Sequence, residues 1–374
     1  MKRGNMYPDF RFNAPEIAGA LGDFGTLVPI VIGVAAVTPI NLAQILFFFS
    51  LAFIATGLVY RLPMPVEPMK AMGVIAIAGG LTAAEIAGAG IMMGLVLLLL
   101  ALTGTFDRIK AYIPVALTRG IQLGLGLLLL RQALLFVAED WVLGLLAVAI
   151  ILVFTMTNVV DISALVVLLL GIGWGIYHHG PPPVAMLSGP WLNLPDLASL
   201  GLGFWQGTLP QIPLTLGNAV LATSLLIHDL FQRRVPENRL LISMSVMCLV
   251  ASPLGGFPMC HGAGGLAAQY RFGARTGGSN LISGLILLPV AVFLASPDVL
   301  RIFPYGALGA LLLFAGMEVI KSGLKTDALW FSLATGLIAL VAGMTPAFLG
   351  MLALYWLWWH GKRRRKGVSD GNPS

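Results

Sequence analysis

Long apolar blocks separated by short polar stretches dominate the sequence. Two clear examples are residues 91–102 and 141–154, which contain no Lys, Arg, Asp or Glu. Runs of roughly twenty mostly apolar residues match the ~30 Å hydrocarbon layer of a bilayer. Because such blocks recur from about residue 14 to about residue 360, the pattern predicts an all-α membrane protein.

The apolar blocks divide into about fourteen transmembrane segments, seven in each half. In the first half they are predicted at 14–36, 41–60, 64–80, 84–104, 112–136, 141–157 and 161–178. In the second half they are predicted at 204–228, 239–254, 258–272, 279–295, 303–319, 327–343 and 345–360. We therefore expect a first transmembrane repeat over 10–180, a second over 200–360 and a cytoplasmic basic tail over 361–374.

The charged residues agree with this division. Only 10% of the chain is charged, whereas a soluble domain carries about 25%. The net charge of +6 would suggest nucleic acid as the partner of a soluble protein, but here the basic residues lie in short loops and indicate orientation instead. With fourteen segments, one side holds 19 of the 22 Lys and Arg residues: Lys2, Arg3, Arg11, Arg61, Arg108, Lys110, Arg119, Arg233, Arg234, Arg239, Arg271, Arg275, Lys321, Lys325 and 362–366. Both termini are therefore expected in the cytoplasm, with the chain in the inner or plasma membrane and no nucleic-acid partner.

The two halves also share a weak internal repeat. Residues 15–17 and 21–23 recur at 210–212 and 216–218, and Pro63-Met64 recurs as Pro258-Met259, all at an offset of 195. Seven segments per repeat is an odd number, so the second repeat is expected to be inserted upside down relative to the first. Inverted repeats with matching interrupted segments are typical of secondary transporters.

The third and tenth segments are interrupted at corresponding places. In 62–70, three prolines (Pro63, Pro65 and Pro68) cannot continue a helix, since each lacks an N–H and fixes φ. Proline is tolerated at a helix start, so a short helix is expected from about Pro68. The segment 255–271 has the same pattern, with an extended stretch and then a glycine-rich turn that begins a helix near Gly262.

Inverted symmetry would bring the N-termini of these two half-helices together near the membrane midplane. Free N–H groups and positive helix-dipole ends would then converge on a site suited to a small anion. Gly262, Gly264 and Gly265 would let the backbone approach that anion closely. The alternative is that these glycines only allow close helix packing.

Ionisable residues inside apolar segments are the next candidates, because each is costly to insert. The deep ones are Asp23, Glu67 and Lys70, with His261 beside the second turn. Glu67 and Lys70 are three residues apart and can pair on one helix face. This pair could simply fix the broken helix. Alternatively, Lys70 supplies positive potential while Glu67 or Asp23 accepts a coupling proton. His261 could be a hydrogen-bond donor or a packing element.

The two interrupted segments carry a family resemblance. The runs 62–70 and 258–275 resemble the two signature motifs of the molybdate transporter family, a relative of the sulfate permeases, and 18–26 resembles its first-helix motif. The resemblance implies a seven-plus-seven inverted repeat. Segments 1–4 and 8–11 would form a core and segments 5–7 and 12–14 a gate. It also implies uptake of a tetrahedral oxyanion held between the third and tenth segments.

One position departs from the family motif. Glu67 stands where the motif is expected to carry glutamine. A carboxylate beside an anion site repels a dianion unless it is protonated or paired, which favours proton coupling.

Together these arguments predict a secondary active transporter of an oxyanion, with molybdate favoured and sulfate or tungstate open, working by elevator-like alternating access and open to proton symport. A sulfate, other-anion or nucleobase permease of the same fold and an anion channel are the alternatives. The sequence does not indicate an enzyme, and it predicts no cofactor and no metal site. The lipid bilayer is an expected partner, and a homodimer is left open. The predicted substrate-binding residues are Pro65, Glu67, Pro68, Met69, Lys70, Cys260, His261, Gly262, Ala263, Gly264, Gly265 and Gln269, and the predicted coupling or gating residues are Asp23, Glu67 and Asn218.

Overall fold

The computed structural model describes residues 10–110, 112–157, 162–189, 192, 194–294, 296 and 298–366. Lys2, Arg3 and the part of the predicted tail beyond 366 lie outside the described residues. The chain is mostly helical. In the first half the helices are α1 (Ala14–Gly22), α2 (Phe24–Val37), α3 (Leu42–Tyr60), α4 (Lys70–Ile77), α5 (Ala83–Thr103), α6 (Phe106–Lys110), α7 (Val115–Glu139), α8 (Trp141–Met156) and α9 (Ser163–His179).

The second half begins with one long helical rod. Its α-helical parts are α10 (Leu197–Gly203), α11 (Leu209–Leu214) and α12 (Thr223–Phe231), joined by wider π-helical turns at Phe204–Thr208 and Thr215–Ala222. The remaining helices are α13 (Glu237–Ala251), α14 (Ala263–Arg271), α15 (Gly278–Phe293), α16 (Asp298–Ile302), α17 (Tyr305–Gly323), α18 (Leu329–Ala342) and α19 (Met344–Lys366). Each predicted segment contains a helix, and the short helices α6 and α16 lie between predicted segments.

Several of the described helices have the length and surface of membrane spans. Six stretches are long and apolar enough to cross a bilayer: Ala14–Val37, Leu42–Tyr60, Ala83–Thr103, Val115–Glu139, Leu197–Phe231 and Tyr305–Gly323. Large apolar side chains point outward from them and from shorter helices; Leu102 is 73% exposed and Val341 is 87% exposed. Such a surface is stable against hydrocarbon rather than water, and the chain is an integral membrane protein.

The helices pack into two groups. The motif group contains α1–α5 and α10–α15, in which α15 lies on α3, α13 and α10 lie on α5, and α1 lies on α14. The flanking group contains α7–α9 and α17–α19, in which α7 packs against both α17 and α18. The groups meet where α2 contacts α17 and where α4 contacts α7. Small residues permit such close approach between membrane helices.

The interior of the motif group contains a feature that the all-α prediction missed. Two short strands, β1 (Glu67–Pro68) and β2 (Met259–Cys260), pair antiparallel. As a consequence α4 begins at Lys70, two residues later than predicted, since Pro68 is part of the strand pair. α14 begins at Ala263, one residue after its predicted start. Extended prolines cannot donate a ladder hydrogen bond, but each carbonyl can still accept one.

Candidate functional site

The strand pair positions two helix N-termini beside each other. Glu67 lies opposite Cys260 and Pro68 opposite Met259, and each strand leads directly into a short helix, α4 or α14. A hydrogen bond from the Met69 N–H to the carbonyl of residue 258, at 2.9 Å, extends the ladder to the start of α4. The starts of both helices therefore lie next to each other in the fold.

Glu67 and Lys70 form an ion pair at this place. The Lys70 Nζ lies 3.1 Å from Oε1 and 3.0 Å from Oε2 of Glu67. The Glu67 side chain is fully buried, whereas 18% of the Lys70 side chain is exposed. Glu67 Oε2 lies directly against Gly262, the residue that caps α14, and a Cβ at that position would overlap with the carboxylate. Glycine is therefore required where the two segments touch.

A second buried carboxyl group joins the pair. Asp23, between α1 and α2, accepts a hydrogen bond from the Val66 N–H at 3.2 Å through Oδ2. Its Oδ1 lies against Gly265. Asp23 interacts electrostatically with both Glu67 and Lys70. When all three groups are ionised, two negative charges and one positive charge leave this cluster with a net charge of −1.

His261 holds the two broken segments together rather than facing the other charged groups. Its Nδ1 lies 2.8 Å from the Pro65 carbonyl, so Nδ1 carries the hydrogen in this contact. Its Nε2 lies 2.6 Å from the Ser243 hydroxyl, and its own carbonyl accepts from Thr223 at 2.7 Å. With both ring nitrogens occupied, the side chain acts as a hydrogen-bonded brace.

Gln211 is a functional-site neighbour that the sequence reasoning did not select. Its Oε1 accepts from the Ala71 N–H at 2.8 Å, which satisfies one of the free donors of α4, and its Nε2 donates to Thr215 at 3.0 Å. The signal was available, since Gln211 matches Glu16 in the internal repeat. Glu16 holds the turn after α14 by accepting from the N–H and hydroxyl groups of Thr276.

A cavity of about 300 Å³ opens between the motif group and the flanking group. Four predicted site residues line it: Glu67, Lys70, Asn218 and Gly264. The other predicted residues do not reach its surface; these are Asp23, Pro65, Pro68, Met69, Cys260, His261, Gly262, Ala263, Gly265 and Gln269. Gln269 is fully buried, and its amide has no hydrogen-bond partner among the described residues.

The cavity also has polar lining residues that were not predicted as part of the site. They come from α2, α7, α14 and α17: Thr26, Arg119, Gln122, Arg271, Glu318 and Ser322. Arg119 donates to Gln122 Oε1 at 3.0 Å, a pairing on one helix face that could have been found from their spacing of three in an apolar segment. Glu318 pairs with Lys321 at 2.7 Å at the helix end.

Beyond the cavity the two groups are closed against each other. Apolar side chains, among them Phe24, Val28, Leu165 and Leu311, leave a space of only about 10 Å³. A separate cavity of about 670 Å³ lies on the far side, next to Trp174. The charged cluster is thus connected to the side on which Arg119 and Arg271 lie.

Comparisons with known proteins agree on the family. Residues 15–129 and 203–319 match the model described as "Molybdate transporter of MFS superfamily". Molybdate transporter 2 of Arabidopsis thaliana is 33% identical over 81% of this chain and 77% of that protein. Molybdate transporter 1 of the same plant is 31% identical over 94% of this chain and 89% of that protein.

Solved structures share the fold. The transmembrane domain of the cyanobacterial bicarbonate transporter BicA aligns with a TM-score of 0.67 over 93% of this chain and 98% of that domain, at 18% identity. Murine Slc26a9, described as an anion transporter in the inward-facing state, aligns with a TM-score of 0.71 over 95% of this chain and 70% of that one, at 14% identity. The fold is a transporter fold, and the sequence matches are specific: the chain belongs to the molybdate transporter family.

Proposed function

We propose that this protein carries a tetrahedral oxyanion, most specifically molybdate, across the membrane as a secondary transporter. The observation that carries the proposal is the position of Lys70, which lines a cavity of about 300 Å³ beside the N-termini of α4 and α14. A cation beside two helix N-termini is suited to an anion with several oxygens. The relatives named as molybdate transporters support molybdate as that anion.

The proposed topology is fourteen spans in two inverted repeats of seven, over 10–180 and 200–360. The helix in each predicted segment supports that count. The antiparallel pairing of β1 with β2 supports inversion, because it relates the two broken segments by an approximate twofold axis. The basic residues support cytoplasmic termini and a basic cytoplasmic tail over 361–374, in the inner or plasma membrane.

The proposed motion is elevator-like alternating access. The motif group would serve as the core that carries the substrate, and the flanking group as the gate. The cavity reaches Arg119 and Arg271, which belong to the predicted cytoplasmic set, whereas the apolar seam around Phe24 closes the other direction. This form would therefore be open to the cytoplasm. Sliding of the motif group along the flanking group would expose Lys70 to the opposite side.

Proton coupling belongs to the same proposal. Asp23 and Glu67 are fully buried carboxyl groups in contact with the segment that holds Lys70, and Asn218 lines the cavity at the repeat position of Asp23. Buried intramembrane carboxyl groups of transporters are commonly sites of proton binding. We propose Asp23 or Glu67 as the proton acceptor and Asn218 as its uncharged counterpart in the second repeat.

Uptake of molybdate into proteoliposomes tests this function directly. Lys70→Ala should weaken molybdate binding by about 10- to 100-fold, since a charge-assisted hydrogen bond contributes roughly 1.5–3 kcal/mol. Lys325→Ala, which removes an exposed lysine of the same predicted side, is the matched control and should behave as wild type. Absence of saturable molybdate uptake by the wild type at any pH would refute the proposal.

Competition and current measurements separate the alternatives. Excess sulfate, tungstate or uracil in the uptake assay ranks the substrates of this fold, and stronger inhibition by sulfate than by unlabelled molybdate would reassign the substrate. An anion channel predicts current without stoichiometric proton movement. A transporter predicts saturable flux that follows an imposed pH gradient.

A further inference from the structure

The charged cluster already contains a negatively charged group, the Glu67 carboxylate. Glu67 is fully buried, and its carboxylate lies between the Lys70 ammonium and the cap of α14 at Gly262. α14 is nine residues long, and the N–H groups of its first turn, at 263–265, have no intrahelical acceptors. A carboxylate in that position pairs with the lysine and lies beside the positive end of the helix. These are the same two groups that would attract an oxyanion.

The surroundings show a surplus of negative charge at this place. Asp23 is fully buried, its Oδ1 is turned toward Gly265 in the first turn of α14, and its side chain interacts with the Glu67 carboxyl group. Two carboxyl groups and one lysine therefore share the start of α14. A dianion that enters this cluster with both carboxylates ionised would meet a net charge of −1 rather than a positive site, which opposes binding.

We propose that Glu67 is a built-in substitute for the substrate: its carboxylate occupies the anion position while the site is empty. The oxyanion binds when Glu67 takes up a proton and releases Lys70 and the helix N-terminus. This inference rests on the proposed function and deepens it, because it assigns the coupling proton to one residue. It also explains what a glutamate does where the resembling motif is expected to carry glutamine.

The simpler interpretation is that Glu67 and Lys70 only fix the broken segment. The two interpretations of the Glu67–Lys70 pair predict different dependence of anion binding on protons. A purely structural pair stays ionised during binding, so anion binding takes up no proton and the affinity does not fall as pH rises. A competing carboxylate must be protonated first, so each anion bound takes up a proton and the affinity falls as pH rises.

Most other groups that face Glu67 cannot supply the proton acceptor for anion binding. Lys70 contributes a fixed positive charge, and His261 has both ring nitrogens engaged. Asp23 could also bind a proton, so it is the residue against which the assignment must be tested. The charged or titratable groups around Glu67 are Asp23 between α1 and α2, Lys70 on α4, Cys260 on β2, and Arg119, Arg271 and Glu318 across the cavity.

Linkage sets the size of the effect. If one proton must bind before each anion, the dissociation constant of the anion rises about tenfold per pH unit wherever Glu67 is ionised. Calorimetric titration of the purified protein with molybdate, and separately with sulfate, between about pH 6 and about pH 8 measures this slope. Glu67→Gln keeps the shape of the side chain but not its charge. It should bind both anions at least tenfold tighter than wild type near pH 8, with a flat pH profile.

Two controls make the result specific. Asp107→Asn neutralises an acidic residue of the same i, i+3 spacing, paired with Lys110 but 78% exposed, and should retain the wild-type slope. Asp23→Asn should retain a slope if Glu67 is the acceptor. A flat profile in Asp23→Asn together with a wild-type slope in Glu67→Gln would overturn the assignment.

Proton uptake by the wild type tests the inference without any variant. In weak buffer near pH 8, each molybdate bound should remove about one proton from solution, as reported by a pH indicator dye. Binding without proton uptake overturns this inference and leaves the proposed function standing. Absence of any anion binding removes the proposed function, and this inference with it.

Discussion

The two strand-to-helix turns at the centre of the fold have the same backbone plan and different side chains. The first turn, from β1 into α4, supplies the charges, because Glu67 and Lys70 both belong to it. The second turn, from β2 into α14, supplies glycines at 262, 264 and 265 and is braced from behind by His261. The first turn thus carries the charged side chains, and the glycines of the second turn leave room beside them.

This division has a physical reason. Two bulky, charged turns would not fit beside each other, since Glu67 and Asp23 already lie against the glycines of the second turn. Two glycine turns would provide backbone donors without a full positive charge. The proposed anion site therefore depends on the difference between the two turns, and variants on the two sides should fail in different ways.

The largest effect is expected on the glycine side. A Cβ at Gly265 would overlap with Asp23 Oδ1 and approach Pro65, whereas a Cβ at Gly264 meets open space. Gly265→Ala should therefore lower the free energy of unfolding by about 1–3 kcal/mol through overpacking. Gly264→Ala should remain as stable as wild type. Thermal unfolding in detergent measures both, and equal melting temperatures for the two variants would contradict the close approach.

A smaller effect is expected at the brace of the second turn. His261→Ala leaves the Pro65 carbonyl and the Ser243 hydroxyl without their buried partner. We expect a loss of about 2 kcal/mol in the free energy of unfolding. His261→Gln, which retains a donor, should recover part of the loss. Anion binding by the folded fraction should change less than in Lys70→Ala. A larger loss of affinity in His261→Ala would indicate that His261 contacts the anion directly.

The smallest effect on stability is expected at the first turn, where Gln211 contacts the start of α4. Gln211→Ala removes the acceptor for the Ala71 N–H at the start of α4. The expected loss is about 1 kcal/mol in stability. Gln211→Glu keeps an acceptor oxygen but loses the amide that donates to Thr215 and adds a buried carboxylate near Glu67, so it should not restore stability. A stability unchanged in Gln211→Ala would mean that α4 does not depend on this cap.

The sequence predicted the parts of this site that local chemistry determines. The proline positions indicate both interrupted segments, and the 195-residue offset pairs them. The strand pairing was not predictable, because two-residue strands have no periodicity of their own. Arg119 and Gln122 were missed for a different reason, since they enter the cavity only through the packing of α7 against the motif group.

The repeat also contained information that sequence reasoning left unused. Gln211 and Glu16 match at the common offset, and both cap chain segments in the interior. Their contacts are not symmetric, however: Gln211 holds the start of α4, whereas Glu16 holds the turn that follows α14. Side-chain partners of this kind depend on the tertiary structure and cannot be derived from the spacing of residues.

The position of the bound anion tests the central claim most directly. A structure of the protein soaked with molybdate at about pH 6, with molybdenum located by anomalous scattering, would identify that position without reference to any side-chain assignment. The account predicts a molybdenum peak between the Lys70 ammonium and the first turn of α14, with the Glu67 carboxyl displaced or within hydrogen-bonding distance of an oxyanion oxygen. A peak elsewhere in the cavity, with the Glu67–Lys70 pair unchanged, would contradict it.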